Sequence, residues 1–276
     1  MDFFSDIFRF GYLFNALAAC LLSGILCGIV GTYVVCRRMV FLSGGITHAS
    51  FGGLGIALYA GINPILGAMV FAVASSVGIE WASENGRIRE DSAIGMIWGF
   101  GMAVGALFMS LRAGYTSGDL SSYMFGSIIT VTSFDAAVLA VLTLAVLLCA
   151  VLWWRPVMYV AFDREYARSQ GIRTKTIAYA MSVLLAVIIV LSIRVMGIVL
   201  LISLLTMPVA IVNTFSKSYA AITLFSAVTA SVASVAGVVA SYYFEVPSGA
   251  AIIFILTVVL VLVKMIPASA AKRAAR

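Results

Sequence analysis

The sequence predicts an all-α, polytopic membrane protein, a transmembrane helical bundle of eight or nine spans. Three observations carry this reading. The 276 residues are 63% hydrophobic and only 10% charged, with a mean hydropathy of +1.14, whereas a soluble domain is about one-quarter charged. Apolar runs of about 20 residues, the length that crosses a hydrocarbon core of ~30 Å, recur from end to end. Those runs lack the alternation of polar and apolar residues that marks the strands of a membrane β-barrel.

The elements follow in chain order. The opening MDFFSDIFRFGY carries two acids and one arginine and so lacks the basic n-region of a secretory signal. The apolar run behind it reads as a retained first span, about 12–36. A glycine-rich second span, about 40–61, holds His48, the one histidine of the chain. Asn63-Pro64 turns the chain into a third span, about 65–82. A charge cluster then separates it from a fourth, about 92–111. In that cluster Glu80 and Glu84, beside Arg87 and Arg89, read as solvated pairing partners. Glu90 and Asp91 favour the N-terminal dipole of the next helix. The segment 116–133 is amphipathic and reads as re-entrant or interfacial. Spans at about 134–154 and 176–193 flank the longest polar connection, Arg155 to Lys175. A short run at 197–213 contains Pro208, and spans at about 219–243 and 249–265 complete the set before a small, basic tail, 266–276. With no compositional shift toward a soluble region, residues 1–276 read as a single transmembrane domain.

Orientation follows from the lysines and arginines. With the N-terminus outside and the C-terminus inside, all 17 except Arg9, Arg112 and Arg194 fall on the inner side. The net charge of +6 therefore reflects cytoplasmic helix ends, and no basic surface interleaved with aromatic residues suggests nucleic acid. Cys20, Cys27, Cys36 and Cys149 form no CxxC pair. Cys20 and Cys27, seven apart, share a helix face and read as small packing residues. The chain contains no GxxxxGK[ST], HExxH or GxSxG motif. A Ser–His–Asp triad would have to recruit His48, and no acid lies near it in sequence. What remains is a scaffold with few titratable groups and 24 glycines, a composition suited to a pathway through the membrane.

Three stretches then stand out together: GIVGTYVVCRRMVFLSGGITHASFGGLGIAL (28–58), VAFDREYARSQGIRTKTIAY (160–179), and IRVMGIVLLISLLTMPVAIVNTF (193–215) with SYYFEVPSGAAIIF (241–254). Their order and spacing resemble the membrane permease of the zinc, manganese and iron ABC importers, the ABC-3 family, over roughly residues 12–265. The resemblance implies a fold like the type II importers, in a bacterial cytoplasmic (inner) membrane. It implies a homodimer with a central pathway, two copies of a separate ATPase subunit, and an extracytoplasmic metal-binding protein that delivers the ion. The cargo would be a divalent transition metal, zinc or manganese first and iron after them, with no cofactor held permanently. ATP would be hydrolysed on the partner chain, which fits the missing P-loop. A chelate permease for a siderophore or corrinoid stays open as an alternative and should have a longer chain. An ion-coupled secondary transporter also stays open and should carry coupling carboxylates in mid-span.

Gly45, His48, Gly52 and Gly55 share one helix face. Small residues on such a face let membrane helices approach closely, so the stripe should face another helix or a cavity, as packing along the pathway. His48 reads either as an interhelical hydrogen-bonding group or as a transient metal ligand, since neutral imidazole suits zinc and its neighbours. One histidine per chain makes a weak site, as a pathway that must release its ion requires. Relatives often place an aspartate four residues before this histidine, where Gly44 stands here. Glu245 reads as a solvated loop acid or as a ligand at the outer mouth. Asp119 and Asp135 read as loop or helix-start residues, and Arg194, beside a turn permitted by Gly197, as a snorkelling or lipid-contacting group. Tyr242, Tyr243 and the tryptophans Trp81, Trp98, Trp153 and Trp154 read as interface anchors and packing. Phe162 to Gly171 reads as a short amphipathic helix ended by glycine or as a charged surface loop, with Asp163, Glu165, Arg168 and Gly171 as candidate ATPase contacts. Pro208 should break its helix. By the resemblance, the segment 209–220 behind it, with Asn213, Ser216 and Lys217, is the principal coupling helix, and 161–174 is a secondary contact.

Overall fold

The structure is a computed structural model that describes residues 11–85, 88–112 and 128–265. Arg9, Arg87, Asp119, most of the 116–133 segment and the 266–276 tail lie outside the described residues. The described helices are α1 (Gly11–Cys36), α2 (Val40–Ala60), α3 (Pro64–Glu84), α4 (Glu90–Ser110), α5 (Ser133–Phe162), α6 (Arg164–Ser169), α7 (Thr174–Met196), α8 (Ile198–Val212), α9 (Tyr219–Phe244) and α10 (Ser248–Met265), with a single 3-10 turn at Ile128–Thr130. No strand occurs among the described residues. Each of the nine expected apolar segments is a helix, and eight are long and apolar enough to cross a membrane. The exception is α8, whose 15 residues span about 22 Å.

Local chemistry sets the ends. Asn63 Oδ1 accepts the Ile65 N–H at 3.0 Å and Pro64 takes the first helical position, so α3 starts where its chain turns. Gly61, at φ 70°, closes α2. Glu90 and Asp91 do occupy the first turn of α4. α5 runs for 30 residues, past the expected end at 154, because it bends at a non-helical Trp153 (φ −120°, ψ 18°) ahead of Pro156 and then continues. Pro156 has no N–H to offer the preceding turn, which is the ordinary cause of such a bend.

Pro208 does not break its helix: α8 continues through it to Val212. A proline interior to a helix forgoes one backbone hydrogen bond, and packing against neighbouring helices lets the helix tolerate this by a local adjustment. Pro208 and its neighbours Leu204, Leu205, Val209, Ile211 and Val212 are all buried.

The described residues form two compact units. The first contains α1 to Val35, α5 up to Leu152, and the chain from Arg194 onward. The second contains the chain from Cys36 through α4, and Trp153 to Ile193. In the first unit, glycines bring α1 against its neighbours: Gly31 abuts the Leu205 backbone of α8, and Gly28 abuts Ala227 of α9. In the second unit α2, the most buried of the eight candidate spans, packs against α3 and α4.

Candidate pathway and coupling sites

The glycine stripe of α2 faces a helix. A Cβ at Gly52 would stand 2.8 Å from the Gly101 carbonyl oxygen, and one at Gly55 would stand 2.5 Å from that of Gly105. Gly45 meets the side chain of Ile94. All three contacts are on α4, so backbone lies almost directly on backbone along this seam. The matching Gly101-x-x-x-Gly105 in α4 is the sequence signal that would have identified the partner helix.

His48 lies on the same seam, half-buried. Its imidazole stacks on the Trp98 indole of α4, with centroids 4.3 Å apart and planes 8° apart. Trp98 is thus the wall beside His48. The buried Nδ1 of His48 has no hydrogen-bond partner among the described residues. A buried ring nitrogen left without a partner is costly, by about 1–3 kcal/mol, and a neutral imidazole nitrogen is a ligand for transition metals. Gly44 is buried and supplies no carboxylate. Among the described residues no three His, Cys, Asp or Glu side chains gather as a resident metal centre would require.

Glu245 occupies the turn between α9 and α10, in the first unit, while His48 belongs to the second. It is exposed and caps α9 in the left-handed conformation, φ 55° and ψ 35°. The turn is closed by Ser241 Oγ, which donates to the Val246 carbonyl at 2.5 Å. A non-glycine residue in this region is uncommon and worth a functional question.

In the second unit, Asp163, Glu165, Arg168 and Gly171 all help to build α6. Asp163 Oδ1 accepts the N–H groups of Glu165 and Tyr166 at 2.9 Å each. Glu165 pairs with Arg168 at 3.2 Å, and Arg168 Nε donates to Thr174 Oγ1. Gly171 takes φ 75° just past the helix. The exposed apolar surface here comes from Tyr159, Phe162 and Tyr166, with Tyr159 and Tyr166 edge to face at 5.7 Å. The sequence reading had not singled out that patch.

No coupling helix stands at 209–220. Residues 209–212 finish α8 and 219–220 begin α9, leaving a non-helical turn over 213–218. Six residues that must both end one helix and start another have no room for a helix of their own. Asn213 caps α8 and accepts the Lys217 ammonium through its carbonyl at 3.4 Å, while Ser216 Oγ accepts the Ser218 N–H.

Two charge groupings differ from expectation. Glu80 is buried, its Oε1 2.6 Å from Arg164 Nη2 and its Oε2 accepting from Ser182 Oγ at 3.3 Å. Glu84 meets Lys175 Nζ and the Tyr179 hydroxyl, each at 3.4 Å. Among the described residues both acids find distant partners, because α7 and α6 bring them to the end of α3. Arg194, expected to snorkel, pairs with Asp135 at 2.8 Å. Asp135 in turn accepts from Thr132 Oγ1 at 2.6 Å at the start of α5.

Comparison with known proteins follows the same outline. The profile of the ABC 3 transport family matches residues 9–267. The manganese transport system membrane protein MntC of Halalkalibacterium halodurans is 31% identical over 92% of this chain and 86% of its own. The manganese import system permease protein ScaB of Streptococcus parasanguinis is 29% identical over 91% and 89%. Among solved structures, a chain of PsaBC from Streptococcus pneumoniae in complex with Fab superposes with a TM-score of 0.84 at 26% identity, covering 96% of this chain and 95% of that one.

Proposed function

The chain belongs to the ABC 3 transport family, and from that premise we propose that it is the permease subunit of an ATP-driven importer of divalent transition metal ions, with manganese as first cargo and zinc and iron behind it. The manganese named for the relatives MntC and ScaB supports that order. In this reading both compact units serve one permease domain. Two copies form the pathway, two ATPase subunits bind on the inner side, and a metal-binding protein delivers the ion outside.

The observation that carries the site is the buried, unpartnered Nδ1 of His48 beside Trp98. A single imidazole nitrogen holds a divalent transition metal ion weakly, manganese more weakly than zinc, so the ion leaves as readily as it enters. Gly45, Gly52 and Gly55 hold α2 against α4 and so fix where that imidazole stands. Glu245, with N-terminus out and C-terminus in, sits at the outer mouth and draws cations there. The 213–218 turn, with Asn213, Ser216 and Lys217 behind Pro208, and the helix α6 with Asp163, Glu165, Arg168 and Gly171, receive the ATPase. Closure of the ATPase pair then moves the spans as rigid bodies between outward and inward access.

The test is uptake of radioactive manganese and zinc at limiting concentration, in cells whose own importer is deleted. The wild-type chain, supplied with its ATPase and binding protein, should restore uptake, and His48→Ala should abolish most of it at unchanged membrane abundance. Undiminished uptake by His48→Ala would remove His48 from the pathway. Uptake of a metal chelate but not of the free ion would replace the cargo.

A further inference from the structure

We propose that the ion pair between buried Glu80 and half-buried Arg164 is the positioning contact that makes α6 move as one body with α3 and α7. The proposal rests on the reading of α6 as an ATPase contact and names what transmits force from it. α6 has only six residues, too few to hold together alone. Its Asp163 cap and the Gly171 turn shape the helix without attaching it to a span, and its other links are the Arg168–Thr174 bond at 3.3 Å and the edge-to-face contact of Tyr166 with Tyr159. Arg164, its first residue, reaches Glu80 near the C-terminal end of α3 at 2.6 Å. The other oxygen of Glu80 takes the Ser182 hydroxyl of α7. One carboxylate therefore joins three elements. Beside it, Glu84 ties α3 to α7 a second time through Lys175 and Tyr179.

Exposure separates this pair from the ordinary surface kind. Glu80 is 4% and Arg164 33% exposed, whereas Glu165 and Arg168 on the same helix are 86% and 52% exposed. Exposed pairs fix little. A buried carboxylate cannot give up its partner without being left uncompensated, so it holds that partner in one place. With the pair intact, a push on α6 is delivered to α3 and α7. Without it, α6 keeps only the Arg168–Thr174 bond and the Tyr166–Tyr159 ring contact, and much of the same push is absorbed by rotation about the extended residue Asp163 (φ −146°, ψ 102°).

The experiment uses the full permease–ATPase complex in proteoliposomes with manganese, and reads ions transported per ATP hydrolysed. Glu80→Gln and Arg164→Gln should still co-purify the ATPase and hydrolyse ATP, yet lower that ratio by about threefold or more. Arg164→Lys should recover most of it, and the double variant should be no worse than the poorer single one. A wild-type ratio in either glutamine variant overturns the proposal. If Arg164→Gln, which leaves the Glu80 carboxylate uncompensated, does not accumulate in the membrane, Glu80→Gln decides, since it buries no unpaired charge and Arg164 still reaches water. A wild-type complex that shows no ATP-driven transport of manganese, zinc or iron overturns the importer reading itself, and this proposal with it, an outcome distinct from a variant that transports normally.

Discussion

A methyl group at Gly55 would stand 2.5 Å from the Gly105 carbonyl oxygen, while one at Gly95, on the same partner helix, would meet nothing within 4 Å. The two positions therefore separate close packing from helix propensity. Gly55→Ala should force α2 and α4 apart and lower stability by about 1–3 kcal/mol. Gly95→Ala should leave stability unchanged or raise it by about 0.5–1 kcal/mol, since alanine is the better helix former. Thermal unfolding of the two variants in detergent, followed by tryptophan fluorescence, checks both signs. Glu245 offers the opposite trade. It holds a left-handed conformation that glycine adopts without strain. Glu245→Gly should keep or slightly raise the melting temperature while lowering metal uptake. If uptake is untouched, Glu245 is a loop acid and no more.

At the scale of elements, the turn between α7 and α8 makes the sharpest demand. Gly197 has φ 78° and ψ 169°, a region open to essentially no residue but glycine. Gly197→Ala should cost about 1–3 kcal/mol, seen as faster hydrogen exchange at the first amides of α8 than in the wild type. The sequence announced this turn, because a glycine interrupts an otherwise continuous apolar run. It announced the long helices equally well, since twenty apolar residues in a row have few other uses. α6 was legible from its Gly171 stop, with a charged loop as the alternative, and the Asp163 cap that starts it came from the structure. The pairings were not. Glu80 finds Arg164 and Ser182 at separations of 84 and 102 residues, and no local pattern encodes which end of which helix will lie beside it. The stacking of His48 on Trp98 depends likewise on the relative register of α2 and α4. Pro208 was misjudged for a related reason: a rule for isolated helices gave way to the packing of Pro208 and its buried neighbours.

At the scale of the whole molecule, the side on which each candidate site lies decides whether the functional reading is coherent. α9 has 26 residues, about 39 Å of helix, and it separates the exposed Lys217 from the exposed Glu245. A span of that length puts the two on opposite faces of the membrane. The excess of lysine and arginine on the Lys217 side would then put that side in the cytoplasm, as the proposed orientation requires. An ATPase dock at 213–218 and a cation-attracting carboxylate at 245 require this orientation and no other. Lys217→Cys and Glu245→Cys, in a background with all four native cysteines replaced, test it directly. A thiol reagent that cannot cross membranes should label Glu245→Cys in right-side-out vesicles and Lys217→Cys only in inverted ones. The reverse pattern would place Glu245 beside the ATPase and the 213–218 turn outside, and both assignments would fall together. Labelling of both cysteines from one side would mean that α9 does not cross, which its length and apolar character argue against.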